Sequence, residues 1–387
     1  MVSPFREPDP PVTESGWSLL LAGRHRARLI CLLASAIPFV MLATVIVLRG
    51  GFPVPTLALL KMVGISLLVI NMGAFSPGKQ WLLCGPMLSI ATLLLVAAIG
   101  LSRPGDNSVL ASAIALSGSV VFVWNLAVVV GRVGGFRAAA FFALGLCLGL
   151  YAESMYWRVS SVHDVVYPES IVTGRVTTDV VEQAAVLNMI SLYRKASTAL
   201  DGLVPLKYHS GSLWIAEGLR RLDGFRTVDF LAFGYGILLI PLYVVAFFGC
   251  AELLRAAIQR EFAIPPLIFW AVTVVAFIGA FPFSGDPLHL NFNEAIINGD
   301  SFLLAIALAL LLIGSTVWFY ESAHTRGFAL PLLEKIAIVL VLPAALSLVG
   351  WVKISQIYLL LALLVCLCWR VKWLRTWPYL VATLLRP

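Results

Sequence analysis

The sequence carries little charge for its length. Only 12% of its 387 residues are charged, whereas 60% are hydrophobic, and the mean hydropathy is +0.95. Soluble globular domains carry about 25% charged residues, so this composition excludes an ordinary soluble protein. Uncharged apolar runs of about 18 residues or more recur along the chain, and each is long enough to cross a bilayer core. The sequence therefore predicts an all-α, polytopic membrane helix bundle.

Cysteine is scarce outside the apolar runs. All six cysteines lie within them, which argues against a disulfide framework in an exposed domain. Cys366 and Cys368 are close in sequence, but no His or Cys cluster near them completes a metal-ligand set. We therefore predict no metal site and no resident cofactor. The motifs of phosphate-binding loops, zinc hydrolases and serine hydrolases are absent, so those classes have no support.

The apolar runs define ten predicted spans. Each approaches the ~20 residues that a transmembrane helix needs, the fifth and tenth being the shortest. They are Leu29–Leu48, Pro55–Phe75, Trp81–Leu101, Val109–Val130, Ala138–Tyr151, Phe230–Leu254, Pro266–Phe283, Ser301–Phe319, Lys335–Trp351 and Ile354–Trp369.

The basic residues set the predicted orientation. Arg and Lys concentrate on alternate connections, and such connections are cytoplasmic by the positive-inside rule. This explains the net charge of +7 without nucleic acid as a partner. We expect a multi-pass protein of the bacterial inner membrane with both termini cytoplasmic. The predicted regions are a cytoplasmic tail (1–28), a first membrane bundle (29–151), a periplasmic loop with interfacial helices (152–229), a second membrane bundle (230–369) and a basic cytoplasmic tail (370–387).

The long central loop is predicted to contain two short amphipathic helices. In TTDVVEQAAVLNMISLYRKAS, Val181, Ala185, either Asn188 or Met189, and Leu192 recur at helical spacing and predict one stripe. A second helix is predicted from Ser212 to Leu222. A turn and Pro205 separate the two. We expect both helices to lie on the outer membrane face.

Polar residues cluster between these two predicted helices. Lys207, Tyr208 and His209 place a cation, a phenol and an imidazole side by side, a combination that suits a phosphate or sugar headgroup. Tyr and Lys are equally ordinary membrane-interface anchors. His289 and Asn291 lie in the second predicted outer loop. We expect them to face the same cavity as the first cluster.

The run from Asp179 to Trp214 resembles a stretch of large bacterial membrane proteins related to the GT-C glycosyltransferases. Gln183 and Leu213 stand where that group has His. The residues in register are Asp179, Ala184, Ala185, Tyr193, Ser197, Thr198, Leu200, Asp201, Gly202, Leu203, Tyr208, His209, Gly211, Ser212 and Trp214.

This resemblance implies a function and a site. GT-C enzymes use lipid-phosphate-linked sugars and carry an essential Asp or Glu in an outer loop. Asp179 would then be the catalytic carboxylate that deprotonates an acceptor hydroxyl. Arg175 and Glu182 would bind substrate beside it. The implied partners are membrane lipids and a polyprenyl-phosphate sugar donor.

Two other functions stay open on the sequence. One is an O-antigen-type polysaccharide polymerase or ligase, since these proteins also combine many spans with one long outer loop. The other is a non-enzymatic membrane subunit or transporter component, which the missing imidazoles favour. In that case Asp179 is a helix cap, a common role for Asp.

Overall fold

The computed structural model describes residues 23–49, 55–75, 81–102, 107–159, 173, 178–198, 204–206, 210–258, 265–279, 304–313, 347–349 and 351–352. This part of the chain is all-helical and contains no strand, which confirms the predicted fold class.

The first helices form one bent span. Helix α1 (Gly23–Ser35) and helix α2 (Ile37–Arg49) meet at Ala36. Pro38 follows in the first turn of α2, where a missing backbone N–H breaks no helical hydrogen bond. Together they contain a continuous apolar stretch, Ala27–Val47, that is long enough to cross a membrane.

Helices α3 (Thr56–Met72), α4 (Trp81–Ser102), α5 (Ser108–Val133) and α6 (Gly135–Val159) follow. Glycine brings α3 and α5 into backbone contact, because a Cβ on Gly64 would overlap Ala115 and one on Gly118 would overlap the Gly64 carbonyl. Small residues commonly allow this close approach between membrane helices.

Helices α7 (Thr178–Tyr193) and α8 (Ser210–Asp223) come from the predicted central loop. A short turn (Thr227–Asp229) and a π-helical turn (Phe230–Gly234) lead into helix α9 (Tyr235–Ile258). Helices α10 (Pro266–Gly279) and α11 (Leu304–Ile313) complete the longer described elements. The apolar stretch Thr227–Glu252 is 94% buried, so α9 is central in the bundle.

Four helical stretches within the described residues are long and apolar enough to span a membrane. They match the first, fourth, fifth and sixth predicted spans: Ala27–Val47, Ser108–Val133, Gly135–Ala152 and Thr227–Glu252. The two stretches on α5 and α6 are mostly exposed. The side chains of Val109 and Phe136, for example, are each more than four-fifths accessible. Apolar faces of this kind suit lipid contact. These features are those of a membrane protein, while the ten-span count stays a prediction.

Candidate functional site on helix α8

Helix α8 has a well-defined C-terminal end. Gly224 follows its last residue with φ +72°, a left-handed conformation that glycine adopts without strain. The backbone N–H groups of Gly224 and Phe225 both donate to the Arg220 carbonyl, at 2.9 and 3.3 Å. This glycine-capped geometry satisfies a terminal carbonyl of the helix. It also fixes Asp223 at the point where the chain turns toward α9.

Helix α8 is embedded in the bundle rather than laid on its surface. A Cβ on Gly218 would overlap the Ala97 carbonyl of α4, and one on Gly100 would overlap the Gly218 carbonyl. The two backbones therefore touch. Along α8 only Ser210, Trp214, Arg220 and Arg221 are partly accessible. Glycines thus let α8 pack against the C-terminal part of α4, while its predicted place at the outer membrane face stays a prediction.

One buried carboxylate on α8 is fully paired. Glu217 has no solvent exposure and accepts two hydrogen bonds from Arg220, from Nε at 2.7 Å and from Nη2 at 2.8 Å. Arg220 also donates to the Phe225 carbonyl at 2.9 Å and to the Ser191 hydroxyl of α7 at 3.3 Å. We call Glu217 and Arg220 the paired half of the site. Its charges hold α8 to α7 and to the turn that follows α8.

The second carboxyl, that of Asp223, is buried without such partners. The residue is 4% exposed, and neither side-chain oxygen has a hydrogen-bond partner among the described residues. Burial raises the pKa of Asp223 to about 8, with attraction to Lys61 of α3 opposing the rise. A carboxyl with a pKa near neutrality can donate or accept a proton under ordinary conditions.

A pair of arginines lies beside the paired half. Nη1 of Arg221 is buried and has no hydrogen-bond partner among the described residues. Burial lowers the pKa of Arg221, and repulsion from Arg194 lowers it further. Arg194 ends α7 with φ +55° and donates from Nη1 to the Leu101 carbonyl of α4 at 2.8 Å. We call Arg221 and Arg194 the open half of the site; Asp223 interacts electrostatically with Lys61 instead.

Three aromatic rings pack together in the turn between α8 and α9. Phe225 and Phe230 meet edge to face at 5.9 Å, and Phe230 meets Tyr235 at 6.0 Å. Phe230 begins the π-helical turn Phe230–Gly234, and Tyr235 begins α9 directly after it. Such turns occur often at functional sites. The Thr227 hydroxyl donates to Asn188 Oδ1 of α7 at 2.6 Å and ties this turn to the same site.

The site that the sequence predicts lies almost entirely outside the described residues and stays a prediction. Asp179 is in the first turn of α7, but its side chain lies outside the described residues, as do Arg175 and the other predicted members Lys207, Tyr208, His209, His289 and Asn291. Glu182 is exposed on α7.

The predicted apolar stripe of α7 coincides with its buried face only at Met189. Val181 and Leu192 are exposed by 57% and 73%, whereas Val186, Leu187 and Ile190 are buried. The buried face follows the contact of α7 with α8 and the turn before α9, and hydropathy alone cannot indicate which neighbour a helix meets.

Sequence reasoning missed the polar residues of α8. A signal was present: Gly211 and Gly218 are spaced for one helix face, and Glu217 is three residues before Arg220. Comparison with protein-family models, curated proteins and solved structures finds no match to this chain. Within the described residues, no three His, Cys, Asp or Glu side chains are grouped to hold a metal.

Proposed function

We propose that this chain is a GT-C-like membrane glycosyltransferase that acts on a lipid-phosphate-linked sugar at the outer face of the membrane. The resemblance around Asp179 supplies the enzyme class. One structural observation supports a reaction site on α8: the Asp223 carboxyl is buried, lacks hydrogen-bond partners among the described residues and lies near Lys61. Buried carboxyls with shifted pKa values are concentrated at functional sites.

The burial of Asp223 suits its carboxyl to act as an acid–base group. With a pKa of about 8, it is mostly protonated at pH 7 and becomes a carboxylate as the pH rises. Sugar transfer to a hydroxyl needs a group that takes the acceptor proton, and a pKa near the working pH serves that step best. We propose this role for Asp223, with Asp179 as the second candidate carboxylate implied by the resemblance.

The alternative is a non-enzymatic membrane subunit. The Glu217–Arg220 pair favours it, because it shows that charges on α8 can serve packing alone. Under this alternative Asp223 is kept neutral and its proton is never used.

The test compares single substitutions at the two carboxylates. Asp223→Asn resembles the protonated acid in shape, so we expect normal protein levels and a melting temperature at neutral pH that is not lower than that of the wild type. Loss of a general base typically lowers the rate by about 10²–10⁴-fold. The measurement is the envelope glycan profile of a deletion strain that expresses each variant, with Asp179→Asn in parallel and Asp223→Glu as the variant that keeps an acid. A full glycan profile with both Asn variants would leave the enzyme without a base and select the subunit alternative.

A further inference from the structure

Positive charge is in excess at the C-terminal end of α8. Arg221 is repelled there by Arg194 and Arg220, and the carboxylate that attracts it is Glu217, which is already bonded to Arg220. Arg220 donates one hydrogen bond to each carboxylate oxygen of Glu217, so the pair is bidentate. Among the described residues this leaves the charges of Arg221 and Arg194 without a carboxylate hydrogen bonded to either.

Arg221 in particular has an unused donor. Its Nη1 atom is buried and meets no acceptor among the described residues. Buried donors are nearly always hydrogen bonded in folded proteins. An orphan guanidinium N–H therefore indicates that an acceptor from outside the described chain belongs there.

Arg194 is held in a fixed position beside it. Its φ of +55° is unusual for a residue with a side chain. The bond from Nη1 to the Leu101 carbonyl uses one of its five N–H donors. The guanidinium is thus anchored at the end of α4 while its side chain stays exposed.

We infer that Arg221 and Arg194 form an anion site for a phosphate group, either a monoester or a diester. Phosphate oxygens accept paired hydrogen bonds from guanidinium groups, and the negative charge of either ester would reduce the repulsion between the two arginines. The site can be reached from solvent or lipid, because Arg221 and Trp214 share the accessible stripe of α8. They are two turns apart, about 10 Å along the helix.

This inference deepens the proposed function and rests on it for the identity of the occupant, the phosphate of the lipid-linked donor. Binding itself does not require transfer. A chain that binds phosphate but transfers no sugar would disprove the proposed function and leave the anion site standing.

The test is equilibrium binding to the purified full chain in nonionic detergent. Farnesyl phosphate and inorganic phosphate are titrated separately by calorimetry at pH 7 and low salt. We expect Arg221→Gln and Arg194→Gln each to weaken farnesyl phosphate binding by about tenfold or more, the usual effect of losing a charge-assisted hydrogen bond. Arg132→Gln is the matched control, since Arg132 is an exposed arginine in the last turn of α5.

The two titrants distinguish the sources of the phosphate. Tighter binding of farnesyl phosphate supports a lipid headgroup, and equal binding supports the same site with a soluble phosphate. Arg221→Lys keeps the positive charge but loses the paired N–H donors of the guanidinium. Its affinity for farnesyl phosphate should lie between those of the wild type and Arg221→Gln. The inference is overturned if the wild type binds neither titrant, if Arg194→Gln and Arg221→Lys bind as the wild type does, or if Arg132→Gln weakens binding equally.

Discussion

Two polar clusters in this bundle are built in different ways. The cluster on α1, α3 and α5 is uncharged: Asn125 Nδ2 donates to Asn71 Oδ1, and Asn71 Nδ2 donates to Ser35 Oγ, both at 2.9 Å. The cluster on α8 is charged and leaves both oxygens of Asp223 and one nitrogen of Arg221 without hydrogen-bond partners among the described residues, whereas the uncharged cluster leaves only Asn125 Oδ1. Mutual hydrogen bonds between neutral side chains hold helices together. Buried charged side chains without hydrogen-bond partners in a membrane protein indicate a functional site rather than packing alone.

The same contrast recurs within α8. Glu217 and Asp223 are both carboxyl side chains, both nearly inaccessible, and less than two turns apart. Glu217 is compensated by Arg220, whereas Asp223 faces Lys61 without a hydrogen bond to any described residue. Burial alone therefore does not distinguish a carboxyl that stabilises packing from one that could take part in chemistry. The hydrogen-bond partners of the carboxyl distinguish them.

The largest expected effect comes from breaking the paired half. Glu217→Ala leaves the Arg220 guanidinium mostly buried without its carboxylate. Removing one partner of a buried ion pair typically costs about 3–5 kcal/mol of folding free energy. Thermal and denaturant unfolding in detergent should show the loss. Replacing both residues, as in Glu217→Leu with Arg220→Met, should recover much of the stability, and a double variant no more stable than Glu217→Ala would contradict a pairing role.

A smaller effect, set by pH, should come from Asp223. Its pKa of about 8 in the folded chain is above the ordinary 3.8, so the folded state holds a proton that the unfolded state releases. The stability that this proton contributes is fully present below about pH 4 and is lost as the pH rises to about 8. Between those limits the slope approaches ~1.4 kcal/mol per pH unit.

The variant Asp223→Asn isolates this slope. It should match the wild type near pH 5 more closely than at pH 8, where the wild type should be the less stable protein. Unfolding free energies measured from pH 5 to pH 8 give the difference directly. Parallel curves for the two proteins would show that Asp223 does not titrate in this range, and would remove its acid–base role.

The sequence predicts the architecture better than it predicts the site. Four predicted spans recur as long apolar helices because hydropathy over about 20 residues depends on composition alone. Helix α8 was expected as well, from Ser212 to Leu222 against Ser210–Asp223 in the structure. Its surroundings were not predicted, since the partner of Gly218 is Ala97, more than 100 residues earlier. Pairings of this kind depend on how helices dock, and local periodicity contains no information about docking.

Asp179 shows the same limit of prediction from sequence. The sequence pattern places it at the start of a helix, and the backbone of α7 does begin at Thr178. A role in catalysis depends on which groups surround its carboxylate, and that surrounding is a property of the assembled bundle. Lys61 lies within the second predicted span, and its electrostatic attraction to Asp223 emerges only when α3 and α8 are packed together.

The smallest expected effect comes from the uncharged cluster. Asn71→Ala removes the bonds to Ser35 and Asn125, yet the partners can relax: the Ser35 hydroxyl already donates to the Cys31 carbonyl at 2.6 Å. Hydrogen bonds between membrane helices average about 0.6 kcal/mol, so we expect a total loss of about 1 kcal/mol in unfolding measurements. Ser117→Ala is the control, because its exposed hydroxyl bonds only the Ala113 carbonyl of its own helix and should change stability little. Since Asn71 is uncharged and its bonds are mutual, its loss should leave farnesyl phosphate binding at Arg221 unchanged. A loss of binding in Asn71→Ala with little loss of stability would mean that the two clusters act as one unit, and the contrast between them would fail.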